Sequence, residues 1–167
     1  MRSLVAATVL ALALGLALSA PAAAGLPKAG VLVPGRSLGG VRIGETQHAV
    51  RAALGSFYGK CRGCPGRTWY FTYGPFDKHG LAVELTHARV SAVYTLWRPA
   101  GWHAPHELGF GSSALAVHNL ADAVHTVTCH GYDALVRDSG HTRTAYYLLD
   151  GRLWGFGLFR RSASPCR

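Results

Sequence analysis

The sequence predicts an α+β fold of two tandem helix-plus-antiparallel-meander units, with the helices packed on one face of the sheet. Three observations predict it. A hydrophobic residue, a glycine and a hydroxyl residue ahead of a short amphipathic stretch occur twice, as Ile43, Gly44 and Thr46 and again as Phe110, Gly111 and Ser113. Each is followed by runs with the β-branched and aromatic content of strands. Order, spacing and residue class agree between the halves, as an internal repeat requires.

Residues 1–24 read as a cleavable export signal. Arg2 charges the start, residues 4–18 are apolar and uncharged, and Ala22, Ala23 and Ala24 supply a small-residue cleavage site. The apolar run is shorter than the roughly 20 residues of a membrane-spanning helix, and no cysteine follows it closely, which argues against a lipid anchor. Residues 25–38, rich in proline and glycine, are expected as a flexible lead-in. Residues 39–167 are expected as a single α+β domain, made of two repeats at about 39–99 and 106–160 plus a C-terminal tail.

In the first unit Thr46 caps a helix whose Ala49, Val50, Ala53 and Leu54 share one face, and Gly55 ends it. Runs at 68–73, 81–85 and 90–97 read as three strands. In the second unit Ser113 and Val117 reproduce the helix start, 145–149 answers 81–85, and Arg152 ahead of 154–159 answers Arg89 ahead of the third strand. Four cysteines in an exported chain are expected as disulfides rather than as free thiols or metal ligands. Of the three possible pairings, the one expected joins Cys61 to Cys64 inside its Gly- and Pro-rich loop and leaves Cys129 for Cys166.

Gly44, Glu45, Thr46, Val50, Leu54 and Gly55, with Gly111, Ser112, Ser113 and Val117, resemble the helical motif of the secreted β-lactamase inhibitor protein family and of the outer-membrane assembly lipoprotein family BamE (SmpA/OmlA). The resemblance spans about residues 39–160 as two tandem units. It implies helices on one face of an antiparallel sheet and a protein-binding rather than catalytic role. The chain lacks the lipoprotein cysteine of the BamE family, and no residue marks a β-lactamase-binding surface, so no target is carried over.

If Leu81, Val83, Leu85, Val90, Ala92, Tyr94 and Leu96 face the helices, strand alternation puts Glu84, Ser91, Thr95 and Trp97 on the open face. The correspondence between the halves adds Tyr146, Trp154 and Phe156, beside Tyr70. Tyr70, Trp97, Tyr146, Trp154 and Phe156 are therefore the candidate partner-binding residues, because Trp and Tyr anchor protein interfaces at small entropic cost. The alternatives are rings buried under a loop or the lead-in, or a register displaced by one.

The formal net charge is +9, with nine histidines besides, which favours an anionic cell-wall or membrane surface as company. The arginines are scattered with no run longer than two, which reads first as a solvated surface kept soluble by charge, and nucleic acid is not an expected partner. Cys61 and Cys64 with His103 and His106 have acceptable zinc spacing, but oxidation outside the cytoplasm competes for the thiols. A thiol-disulfide oxidoreductase needs a helix after Cys61 and Cys64, and Pro65 and Gly66 lead into a strand pattern instead. The eight acidic residues form no glycosidase or nuclease signature, Gly-x-Ser-x-Gly is absent, and Ser112 and Ser113 belong to a helix start.

The expected protein is thus a secreted or otherwise extracytoplasmic monomer, a non-catalytic binding module that uses no cofactor or metal and recognises a protein through the open face of its sheet. Rival expectations are an envelope-associated structural protein that binds anionic cell-wall polymer, and a thiol-disulfide or hydrolytic enzyme.

Overall fold

The computed structural model describes residues 26–27, 29–64 and 66–167, and the expected export signal at 1–24 lies outside them. In chain order the elements are β1 (Leu32–Val33), β2 (Ser37–Leu38), α1 (Gln47–Leu54), β3 (Gly59–Lys60), β4 (Arg67–Thr72), β5 (Gly80–Thr86) and β6 (Arg89–Leu96). Then follow β7 (His103–Ala104), β8 (Leu108–Gly109), α2 (Ala114–Leu120), β9 (His125–Cys129), β10 (Tyr132–Ser139), β11 (Thr142–Leu149) and β12 (Arg152–Arg160). Eight strands form one antiparallel sheet in the order β3-β4-β5-β6-β12-β11-β10-β9. Two small hairpins, β1-β2 and β7-β8, stand apart from it.

This corrects the expected fold class. Two helix-plus-meander units would each keep a sheet of their own, whereas β6 and β12 pair directly and fuse all the strands into a single sheet. Of the described residues 46% are strand and 11% helix, so the fold is mainly β. Nor is this the tandem architecture that the resemblance to the BamE and β-lactamase inhibitor families implies.

The two helices have eight and seven residues, too short to persist without tertiary support. Thr46 caps α1 by accepting from the Ala49 N–H, and Ser113 caps α2 by accepting from the Ala116 N–H. Each helix start is hydrogen-bonded to the sheet. The Gly44 N–H donates to Val90 O and the Gly111 N–H to Leu153 O, while the guanidinium groups of Arg89 and Arg152 donate to Gly44 O and Gly111 O. Both glycines have φ near +90°, a backbone that disfavours side chains. Once anchored, α1 buries Val50 and Leu54, and α2 buries Val117, against Trp69, Phe71, Leu81, Val83 and Phe156.

The segment expected as a flexible lead-in contains the β1-β2 hairpin. Leu32 and Leu38 are fully buried there, and the Gly35 N–H donates to the Thr144 hydroxyl. Proline and glycine shape this turn, and the buried leucines hold it on the core.

Two β-bulges decide which side chains face the helices. In β6 the register passes from Glu84↔Ala92 to Leu85↔Val90, so Ser91 is the extra residue. Val90 and Val93 both face the helix-side core, while Ala92 and Tyr94 turn to the opposite face. In β12 the register passes from Tyr147↔Gly155 to Leu148↔Leu153, with Trp154 extra. Leu153, Phe156 and Leu158 face the helices, and Trp154 and Phe159 the other side. Uniform alternation through Ser91 would place Ala92 and Tyr94 with the helices and Thr95 outside. Thr95 is instead buried, exchanging hydrogen bonds with the Phe156 backbone across the β6–β12 pair.

Burial pushes the Tyr146 hydroxyl up to about 12 and also raises those of Tyr94 and Tyr147. An unfolded tyrosine ionises near 10. Folded-state values above the unfolded one mean that this stability is intact below pH of about 10 and is lost as pH rises through the folded values. Alkaline titration is therefore expected to release these three phenolates together with the loss of near-ultraviolet circular dichroism. Their ionisation near 10 with the fold intact would contradict their burial.

Candidate functional site: an aromatic cleft on the second face of the sheet

The face away from the helices has a floor of small residues, with Ala92, Ala134 and Ala145 fully buried in it. Aromatic rings rise around them: Tyr94, Tyr132, Tyr147, Trp154 and Phe159. Glycine in β12 makes the room, since a Cβ at Gly157 would collide with the Phe159 ring and crowd the Tyr147 hydroxyl.

The chain beyond β12 folds back over this face as a strap. The Arg161 N–H donates to His141 O, and the Tyr147 hydroxyl donates to Pro165 O at 2.7 Å. Cys166 is bonded to Cys129 at the end of β9. Arg167 reaches Glu84 with Nε and Nη2 at 2.7 and 3.0 Å, and its Nη1 donates to Ser164 O and Cys166 O. Its guanidinium also lies 4.8 Å from the Phe159 ring centroid and 5.8 Å from that of Tyr94. The Tyr132 hydroxyl accepts from the Arg167 N–H and donates to Arg167 O.

Between strap and sheet remains a cleft of about 220 Å³, lined by Tyr94, Trp97, Tyr132, Tyr147, Trp154 and Arg167 above Thr95 and Leu96. Ligand pockets for whole small molecules run from roughly 300 Å³ upward, so this one fits a single large side chain. The cleft is electrostatically quiet. Glu84 neutralises Arg167, whose donors are engaged, and burial keeps the Tyr94 and Tyr147 hydroxyls protonated. One polar group is left over: the indole N–H of Trp154 is buried with no hydrogen-bond partner among the described residues. At the rim Trp97 is 55% exposed, in a left-handed backbone with φ 55°, and the Lys78 ammonium lies 4.3 Å from its ring centroid.

The structure divides the residues that sequence patterning grouped together. Trp97 and Trp154 meet in the cleft. Tyr146 and Phe156 lie on the opposite face, 1% and 0% exposed, with ring centroids 6.1 Å apart. They pair with each other across β11 and β12 and point into the helix-side core. Tyr70 shares the cleft's face but not its lining, and its hydroxyl sits 3.4 Å from Cys64 Sγ. Tyr94, Tyr132, Tyr147 and Arg167 escaped the sequence reading. The signal for Tyr147 was the run Gly155-Phe156-Gly157, whose glycines mark the side of β12 where facing rings need space.

Cys61 and Cys64 are also joined, so neither is a thiolate ligand or an open thiol in this state. Among the described residues no three His, Cys, Asp or Glu side chains converge as a metal site.

Fold and site together define a class: a disulfide-linked, mainly β domain with one continuous antiparallel sheet and an aromatic cleft under a C-terminal strap. No family model matches the sequence, and no curated protein matches it. Among solved structures it is similar to an extracellular protein of Bacillus anthracis containing an SCP domain, with TM-score 0.51 and 9% identity over 71% of this chain and 44% of that one. It is also similar to YjgB, a DUF4309 family protein of Bacillus subtilis (TM-score 0.49, 16% identity, 70% of this chain and 78% of that one). YfeY of Escherichia coli gives TM-score 0.49 at 11% identity, over 75% of this chain and 97% of that one. The chain spans less than half the length of the Bacillus anthracis protein, and the likeness to it is one of fold.

The resemblance to the BamE and β-lactamase inhibitor families is accordingly withdrawn. Its motif is a local device, a left-handed glycine and a hydroxyl cap that start a short helix, and this chain uses it on a different sheet. Both disulfides fit an oxidising setting outside the cytoplasm. Among the described residues no helix is long and apolar enough to cross a membrane.

Proposed function

We propose that the protein is a secreted, non-catalytic binding module that recognises a protein partner through the second face of its sheet. The aromatic cleft takes one apolar anchor side chain of that partner. The observation that carries this reading is the cleft itself: five aromatic side chains around a space of side-chain size, with Trp97 exposed at its mouth. Buried aromatic anchors in small pockets supply most of the energy at protein interfaces.

The net charge of +9 favours a second reading, retention on an anionic cell-wall polymer. Salt separates the two, since attraction between exposed charges is screened within about 8 Å at physiological ionic strength. The test presents immobilised protein to culture secretions and to cell-wall fractions at low and high salt, with Trp97→Ala and Trp154→Ala in parallel. Both variants are first checked for wild-type near-ultraviolet circular dichroism. A partner protein retained at high salt and weakened about tenfold or more by Trp97→Ala is expected. Capture indifferent to both substitutions, or abolished by salt alone, would overturn the proposal.

A further inference from the structure

A second, polar cleft lies outside the aromatic site. It opens between the β4–β5 loop, the segment after β6 and the β7-β8 hairpin, with a volume of about 660 Å³. A smaller space of about 280 Å³ adjoins it and shares His79, Arg98 and Ala100. Its base is rigid. Trp102 is buried there, its indole N–H donating to the Tyr73 hydroxyl at 2.7 Å, and that hydroxyl donates to Pro27 O at 2.7 Å.

Asp77 fixes the imidazole on one wall. Its Oδ1 accepts from the His79 backbone N–H at 2.8 Å and lies 2.7 Å from His79 Nδ1. These bonds hold the Asp77 carboxyl below the usual carboxylate range. Because Nδ1–H donates to the Asp77 carboxylate, Nε2 donates to an anionic ligand only in the imidazolium form, and that is the form the ligand selects. Arg98 on the same wall has no hydrogen-bond or ion-pair partner among the described residues. His103 also lines the cleft. Asp77 is engaged by His79, so Glu107 is the remaining carboxylate of the lining. Lys78 on Trp97 adds a cation at the margin.

Arg98 and Lys78 offset Glu107 and Asp77, and an arginine fork lining the same cleft as an oriented imidazolium supplies the donors that an oxyanion needs. We propose that this cleft binds a carboxylate or phosphate group between Arg98 and His79. The site stands independently of the aromatic cleft: either can fail while the other holds.

The test titrates the purified, oxidised protein with inorganic phosphate, citrate and an oligogalacturonate, followed by tryptophan fluorescence and calorimetry. Saturable one-to-one binding of at least one probe is expected. Phosphate alone would assign the group as phosphate, and citrate or the oligogalacturonate alone as carboxylate. Arg98→Ala should weaken it about tenfold, and Arg98→Lys, which keeps the charge but not the fork, should recover only part. His79→Gln should weaken it several-fold. Arg42→Ala, which removes one charge elsewhere on the surface, should leave the affinity unchanged. Absence of saturation by all three probes up to about 10 mM, or equal weakening by Arg42→Ala, overturns the proposal. Thermal melts of the variants exclude misfolding as the cause.

Discussion

Replacement of Trp102 by alanine is expected to lower the free energy of unfolding by about 3 to 5 kcal/mol. The indole is 2% exposed and sits where the small hairpins meet the sheet. It lies so close to the backbone of Gly30 and Gly39 that a Cβ at either would collide with the ring. Alanine leaves a cavity that those two glycines cannot fill, and it leaves the Tyr73 hydroxyl without its donor. Trp102→Phe keeps most of the packing and loses only that bond, so a cost of about 1 to 2 kcal/mol is expected. Denaturant midpoints with unchanged slope measure both. A loss under about 1 kcal/mol for Trp102→Ala would show that the hairpins contribute little to the cooperative fold.

Removing the Cys129–Cys166 bond, as Cys129→Ser with Cys166→Ser, is the second large effect. The two positions are 37 residues apart, and the chain-entropy relation gives about 4 kcal/mol for a loop of that size. The Cys61–Cys64 bond closes a separation of three residues and should matter much less. Location adds to the difference. Cys166 pins the strap, so its loss also frees Arg167 from Glu84 and uncovers Tyr147 and Phe159. The double variant should therefore bind an apolar dye under native conditions, and the Cys61/Cys64 variant should not. Equal stability losses for the two bonds would contradict this account of the strap.

Local chemistry was legible in the sequence, and long-range pairing was not. Thr46 and Ser113 announce their helices through hydroxyl caps, which depend on the next three residues alone. The runs read as strands at 68–73, 81–85 and 90–97 correspond to β4, β5 and β6 within a residue or two. Nothing local says that β6 pairs with β12, and that pairing turns the expected two units into one sheet. The binding-face residues went astray for a related reason. Alternation is a chain of inferences that one inserted residue reverses, and Ser91 and Trp154 are such insertions. Trp97 and Trp154 line the cleft, whereas Tyr146 and Phe156 face the helices. Arg167 could not be read at all, because its role rests on Glu84, 83 residues away.

The sheet order has a consequence for how the chain finds its fold. Every other pair of neighbouring strands in the sheet is consecutive in sequence, so each flank is built from local hairpins, which close on a timescale of about 1–10 μs. The β6–β12 pair is the exception, joining Thr95 to Phe156 across 61 residues. The loop-closure entropy of the sheet is thus concentrated at one narrow seam, where register is held over three residue pairs. The Cys129–Cys166 bond ties the end of β9 to the strap, both on the C-terminal side of that seam. It is Arg167, reaching Glu84 in β5, that crosses it. Arg167 is therefore a clasp between the two ribbons, able to close only after they have met.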